Sequence, residues 1–328
     1  MTIYDVAKEC GVSIATVSRV LNGSGRVSSK TKEKVLAVMK KQNYQPNPFA
    51  RGLGLDSMKM IGVICTDVSD AFYAKAVSLI EEYSRQIDWN VLLTCTGHGK
   101  EEKYKFVEFL LNKHIDALII IGTPFVHKKD LYHFEKLGSR IPIIMINSYM
   151  ELPNVYGIIC DEAAAVQDAV DKLQQQGCNS IAYFYDSLTY SGRQKLTGYR
   201  AGIKKYHLNA KCELEYKVEK SFEQMNTLIK KLLAEKVFFD ALVTSEDILA
   251  IAAQKILLQE NRTMPIIGCN NSILAQCSTP ALSSIDNRLD ILCKAAIEVL
   301  TKLMNNETVP TKMLFTANLV ERESFQAK

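Results

Sequence analysis

The sequence predicts an all-α helix-turn-helix headpiece followed by an α/β body of two Rossmann-like lobes, and three observations carry that prediction. The first is a pair of short helical patterns meeting at a tight turn within residues 2–22. The second is a change of period near Met60, where continuous apolar runs begin to alternate with amphipathic stretches. The third is the return of that alternation after about residue 160, in a chain of 328 residues, which gives two lobes in line with a soft prior of about 150 residues per domain.

In the head, Thr2 and Asp5 stand three apart as a capping pair, and Val6 and Ala7 give the first helix its apolar face. Cys10, Gly11 and Val12 supply the turn. Ser13 can cap a second helix through its hydroxyl, and Val17, Val20 and Leu21 recur at helical spacing as its buried stripe. A third helix opens at residues 28–33, turns Val35, Leu36, Val38 and Met39 inward, and ends near Tyr44. With the stripe of the second helix buried, Ile14, Ala15, Ser18, Arg19 and Asn22 face outward. The second helix of a helix-turn-helix lies in the major groove of DNA, so these five are candidate base readers. Arg19 can donate two hydrogen bonds to guanine O6 and N7, while Ile14 and Ala15 can pack on a thymine methyl. A lone exposed Arg is ordinarily a solvated charge; its place on this helix favours the reading role.

Charge agrees. Residues 1–55 hold nine Lys and Arg against three acidic residues, a net of +6, which leaves −2 for the remainder of a chain whose total is +4. A basic head on a slightly acidic body is the distribution that phosphate binding by one end requires.

In the body, residues 60–65, 91–95, 117–121 and 143–146 read as apolar strands, with helices over 74–87 and 101–113. The scheme repeats with strands at 181–185, 241–244 and 266–269 and helices at 162–176, 192–207, 222–235, 247–259 and 289–304. Buried runs separated by amphipathic helices imply parallel sheets covered on both faces. Such sheets bind ligands at the carboxyl ends of their strands, and two facing lobes form a cleft there. His127, Lys128 and Lys129 read as a solvated turn.

The head residues Thr-Ile-Tyr-Asp-Val-Ala at 2–7, Thr-Val-Ser-Arg-Val-Leu-Asn at 16–22, Tyr-Gln-Pro-Asn at 44–47 and Ala-Arg-Gly-Leu at 50–53 resemble those of the LacI/GalR family of bacterial transcription regulators. The likeness runs the length of the chain, dense in the head and looser in the body. It implies a headpiece at residues 1–45, a hinge at 46–57 and an effector-binding, dimerising body at 58–328 with a periplasmic-binding-protein-like fold. Its N-lobe would take about 58–159 and 290–317, and its C-lobe about 160–289 and 318–328. The DNA-facing set it implies is Thr2, Ser13, Ile14, Ala15, Thr16, Ser18, Arg19, Asn22, Arg26, Ser28, Thr31, Tyr44, Asn47, Ala50 and Leu53. In the family the residue matching Leu53 wedges into the minor groove from a hinge that becomes helical on DNA. Here Gly52 and Gly54 lower helix propensity in the free chain and Leu53 is an apolar side chain suited to opening a base step. Composition alone equally allows residues 46–57 to be a flexible linker.

Carried over motif by motif, the resemblance places Phe72, Tyr73, Asn147, Lys195, Phe222, Asp247 and Asn270 around an effector in the cleft. Three depart from the commoner family pattern: Lys195 stands where Arg is usual, and Asn147 and Asn270 where Asp is frequent. Lys lacks the bidentate fork of Arg, and two fewer carboxylates would leave the cleft less negative, which suggests an anionic effector or one unlike a plain neutral sugar.

The expected partners are double-stranded operator DNA, a small-molecule effector (sugar, sugar phosphate or nucleobase) and a second copy of the chain, with repression as the default outcome. A partner protein in place of the effector is the alternative, and a ligand-binding module without a DNA role is opposed by the basic head. An enzyme is not expected: the sequence has no Walker loop, no Gly-x-Gly-x-x-Gly after a strand and no nucleophile elbow, and its five His are scattered. No cofactor or metal is expected. Nine Cys without a CxxC read as free thiols of a reducing cytoplasm. The absence of an apolar leader or bilayer-length segment points to a cytoplasmic protein without membrane contact. The C-terminal residues lack leucine heptads, which points to a dimer and not a coiled-coil tetramer.

Overall fold

The computed structural model describes residues 2–22, 25–44, 57–97, 103–122, 125, 128–208 and 214–326, without the side chains of 22 and 128–131. The chain divides after Lys59 into two units.

The first unit holds α1 (Ile3–Cys10), α2 (Ile14–Asn22) and α3 (Ser29–Lys41). Its helix starts are fixed by side chains. The Thr2 N–H and hydroxyl both donate to Asp5 Oδ2, at 2.7 and 2.9 Å. Those bonds favour the charged form and hold the Asp5 carboxyl below its ordinary range. Gly11 ends α1 at φ +62°, a left-handed conformation that any side chain would strain. Ser13 Oγ then accepts from Thr16 N at 3.1 Å to start α2, and Ser28 Oγ from Thr31 N at 3.2 Å to start α3. Val6, Ala7, Cys10, Val17, Val20, Val35 and Met39 close one small core. Leu36 departs from expectation and is 46% exposed, because Val35 and Met39 set the inward stripe of α3 and Leu36 lies a helical step off it.

The second unit contains two six-stranded sheets. The first runs β11 (Lys312–Thr316), β5 (Val155–Asp161), β4 (Ile143–Ile146), β3 (Ala117–Ile121), β1 (Met60–Cys65), β2 (Asn90–Cys95), all parallel. The second runs β12 (Asn318–Val320), β10 (Ser283–Asp286), β9 (Ile266–Cys269), β8 (Ala241–Thr244), β6 (Ile181–Tyr185), β7 (Glu215–Lys217), with β12 alone antiparallel. The helices, in chain order, are α4 (Ala71–Gln86), α5 (Tyr104–Leu111), α6 (Lys128–Gly138), α7 (Glu162–Gln175), α8 (Tyr190–Lys205), α9 (Phe222–Ala234), α10 (Asp247–Gln259), α11 (Ile273–Cys277) and α12 (Leu289–Met304). Each sheet is buried on both faces. One core packs α4 and α12 on the first sheet through Ala76, Ile80, Leu292 and Ala296, and another packs α7 and α8 on the second through Val166, Val170, Tyr183 and Tyr199. The chain therefore passes between lobes three times: from β5 into α7, from β10 into α12, and between β11 and β12.

The sequence reading placed seven strands and seven helices of the body and missed others, not all of them short, since β5 has seven residues. β5, β7 and β10–β12 were not read, nor were α6 and α11. β10 carries Ser283 and Ser284, whose hydroxyls donate to Arg322 O and to Asp247 Oδ1. A tertiary bond, not an apolar pattern, makes it a core strand. Lys128 and Lys129, read as a turn, open α6. The helix expected over 101–113 runs only Tyr104–Leu111 within the described residues.

Among the described residues no helix is long and apolar enough to cross a membrane, and no group of His, Cys, Asp and Glu is placed to hold a metal. The eight described cysteines form no disulfide, and burial pushes the Cys65, Cys160 and Cys293 thiols up to about 12.

Candidate effector cleft and nucleic-acid interface

Both sheets have the same order about their first strand, so the order reverses between β1 and β3 in one lobe and between β6 and β8 in the other. Ligands bind outside the carboxyl ends of strands at such reversals. A cavity of about 260 Å³ lies there, reached by Thr66 and Asp70 after β1, Gly122 after β3, Asp186 after β6 and Glu246 after β8. Each position follows from local structure. Asp70 is the N-cap of α4, its Oδ1 accepting from Phe72 N at 2.9 Å, which leaves Oδ2 facing the cleft. Phe72 and Tyr73 follow on the first turn, their rings edge to face at 5.4 Å, and the Tyr73 hydroxyl accepts from Thr66 Oγ1 at 3.4 Å.

Of the seven predicted effector residues, the structure brings five to this cavity: Phe72, Tyr73, Asn147, Lys195 and Asn270. Two predictions are corrected. Phe222 starts α9, is 45% exposed with Lys255 Nζ 5.2 Å from its ring centroid, and is not among the residues that line the cavity. Asp247 is buried and turned inward, taking hydrogen bonds from Ser284 Oγ at 2.5 Å and Ser272 N at 2.7 Å. It ties β10 and α11 to α10. Its neighbour Glu246 is the carboxylate that faces the cavity, an offset of one residue at a strand-to-helix junction.

The three residues that depart from the family pattern share one explanation. Lys195, 4% exposed at its side chain, donates to Ser245 O at 2.8 Å and sits 3.4 Å from Glu162 Oε1. Burial pulls its ammonium down, but Glu162 and the neighbouring acids outweigh burial and the net is upward. Asn147 Nδ2 donates to the same Glu162 Oε1 at 3.2 Å, and Asn270 Nδ2 donates to Glu246 Oε2 at 2.6 Å. Both asparagines have positive φ, 56° and 97°, which Asn tolerates better than most residues.

The charges of the cleft sit on residues other than the two asparagines: Asp70, Asp186 and Glu246 line the cavity together with Lys103, Lys195 and Lys220, three acids against three ammonium groups, and Lys195 and Lys220 have acidic partners. None of these acids, nor Lys220, was read from the sequence. Asp70 had a signal, an Asp one residue before a helix that follows a strand. Lys220 sits in the short segment between β7 and α9, and no pattern singles it out. Burial raises the Glu246 carboxyl to about 7 against the pull of Lys195 and Lys220. It also raises the Tyr73 hydroxyl.

In the first unit, Ile14, Ala15 and Arg19 lie exposed along one face of α2, with Ser18 half-buried beside them. The aliphatic stem of Arg19 passes over Gly25, where a Cβ would meet its Cδ at 3.3 Å. Thr2, Ser13, Arg26 and Ser28 are exposed at the helix starts and turn, Thr16 and Thr31 are half-buried, and Tyr44 packs against the core. The Ser13–Thr16 and Ser28–Thr31 hydroxyl pairs are 2.9 and 2.8 Å apart. Asn47, Ala50 and Leu53, like the side chain of Asn22, lie outside the described residues.

The family of bacterial regulatory proteins called lacI matches residues 2–47, and that of periplasmic binding proteins and the sugar binding domain of the LacI family matches residues 58–320. An HTH-type transcriptional regulator of Lachnoclostridium phytofermentans is 42% identical over 330 residues, covering 99% of each chain. Catabolite control protein A of Priestia megaterium is 28% identical over 328 residues, covering 98% of each. Among solved structures, the lac repressor dimer bound to operator and the anti-inducer ONPF superposes with a TM-score of 0.89 at 25% identity over 99% of both chains. These relatives are regulators, not enzymes.

Proposed function

The chain belongs to the LacI family of bacterial regulatory proteins, a DNA-binding regulator with a sugar-binding-type body, and on that premise we propose that it is a cytoplasmic repressor, dimeric on a pseudo-palindromic operator and controlled by a small effector in the cleft. The observation that carries the DNA reading is the exposed face of α2, whose Ile14, Ala15 and Arg19 stand clear of the core at its N-terminal and middle turns. Arg19 reads a guanine, Ile14 and Ala15 pack on a thymine methyl, and Ser18 and Asn22 complete the base contacts. Thr2, Ser13, Thr16, Arg26, Ser28, Thr31 and Tyr44 bind phosphates, which fix register without reading sequence. Residues 46–57 form the hinge, in which Asn47 and Ala50 approach the minor groove and Leu53 is the wedge.

The effector reading rests on the cavity. Its volume lies just below the roughly 300–1,000 Å³ of typical ligand sites, which suits a single small ring. Aromatic faces at Phe72 and Tyr73 with amides and carboxylates around them suit hydroxyl-rich or heterocyclic ligands. The dimer reading rests on apolar side chains left exposed on α10 and α11: Leu249, Ala253 and Ile256 of α10 are buried, while Ile248 and Leu258 stand exposed on either side of Lys255, with Ile273 and Leu274 of α11 also exposed. Large apolar side chains grouped on an outer face favour a cover there.

Selection of a preferred duplex from random DNA tests the reading. The recovered site should be an inverted repeat, and Arg19→Ala should relax its preference at one position per half-site at a cost of about 1–3 kcal/mol. Recovery of no preferred sequence would overturn it.

A further inference from the structure

The two lobes are tied across the cleft at two places with different characters. Near the first chain crossing, Glu162 opens α7 immediately after β5 and accepts from Asn147 of the other lobe at 3.2 Å, with Lys195 at 3.4 Å. This tie is buried, Glu162 being 2% exposed, and lies at the crossing itself, where rotation of one lobe against the other moves atoms least. The second tie is Lys220. Its ammonium donates to Asp70 Oδ2 of the first lobe at 2.9 Å and stands 3.8 Å from Asp186 Oδ2 and 3.7 Å from Glu246 Oε2 of its own lobe. Lys220, Asp70, Asp186 and Glu246 all line the cavity, and the Lys220 side chain is 30% exposed.

The geometry points to Lys220 as a reversible inter-lobe clasp that holds the effector cleft shut. Separating the lobes breaks only the Asp70 leg. The ammonium keeps Asp186 and Glu246, which travel with it, so opening never strands it without a countercharge. Asp70 in turn keeps its cap bond to Phe72 N through the other carboxylate oxygen. Each partner thus has a satisfied resting place in the open state, and the closed state is stabilised by one partly exposed ion pair, which is weak and screened by salt. A buried tie in the same place would lock the lobes; this one lets an effector enter and then closes over it. The clasp does not depend on which effector the cleft takes or on DNA binding, so its failure would leave the regulator reading intact.

Small-angle X-ray scattering of the full chain tests it without a ligand, using Lys220→Gln, Asp70→Asn, the double variant and Lys220→Arg. Asn caps helices as well as Asp, so Asp70→Asn removes the charge and keeps α4 in place. Thermal unfolding of each variant identifies any that fails to fold, and Asp70→Asn, which breaks the same pair from the other lobe, carries the test if Lys220→Gln does. Both single variants should raise the radius of gyration equally, the double variant no further, and Lys220→Arg should keep the wild-type value. High salt should expand the wild type toward the variants and leave the variants unchanged. Single variants that match the wild type, or changes that are unequal or additive, overturn the clasp.

Discussion

Glu246→Gln probes the electrostatics of the cleft through stability alone. The Glu246 side chain is only 21% exposed, and partial burial outweighs the attraction of Lys195 and Lys220, so its pKa rises from 4.5 to about 7. A carboxyl with a raised folded-state pKa binds its proton more tightly folded than unfolded. The contribution of Glu246 to stability is therefore fully present below pH 4.5, is lost as pH climbs from there to about 7, and is level above. The rise from 4.5 to about 7 corresponds to about 3 kcal/mol at 1.36 kcal/mol per unit. Gln has the shape of protonated Glu, accepts the same bond from Asn270, and does not titrate. The variant should match the wild type near pH 4.5 and exceed it by about 3 kcal/mol at pH 8. Denaturant unfolding of both proteins at intervals across that range measures the difference directly. A difference that stays flat, or a wild type that gains on the variant as pH rises, would refute the assignment of Glu246 as a buried carboxylate short of positive charge.

Lys195→Met should cost about 3–5 kcal/mol of stability, because it leaves Glu162 buried without its cation and Ser245 O without its donor; a calorimetric loss under 1 kcal/mol would mean that Glu162 is solvated. Phe222→Ala should leave the thermal shift produced by any sugar or nucleobase ligand unchanged, whereas Phe72→Ala should reduce it; equal losses would return Phe222 to the site. Ile248→Asp should convert a dimer to monomer in light scattering without unfolding the lobes, and a dimer that survives it would place the interface away from α10.

The fold was legible wherever a period was sustained. β1, β3 and β4 are uninterrupted apolar runs, and α4, α7 and α10 are long enough for their buried stripe to show. Illegible elements were held by contacts distant in sequence, as where Ser324 Oγ donates to Ile266 O across 58 positions and accepts from Ser283 N at 2.8 Å. In the head nearly everything was legible, because Thr2, Ser13 and Ser28 act on residues three positions away. Local chemistry leaves a local trace. The cleft was half legible for the same reason: strand ends could be counted, but which of Glu246 and Asp247 turns outward depends on Ser284 and Ser272, far along the chain.

Asparagine in place of aspartate at 147 and 270 shows how the cleft balances its charge. Each side chain follows a strand at positive φ and points its amide at a carboxylate of another element, Asn147 at Glu162 and Asn270 at Glu246. An Asp at either position would set two carboxylates within hydrogen-bond reach in a poorly solvated place, where one of them must stay protonated. The carboxylates stand instead on Glu162, buried behind Asn147, and on Glu246, which lines the cavity beside Asn270, and the asparagines supply donors that hold them in position. Lys195 is the matching change. Glu162 presents one oxygen to both Asn147 and Lys195, a contact that needs a point charge and has no use for the fork of Arg. The contacts fall into two sets, Asn147 and Lys195 on Glu162 and Asn270 on Glu246, and an Asp in place of either asparagine would crowd a carboxylate.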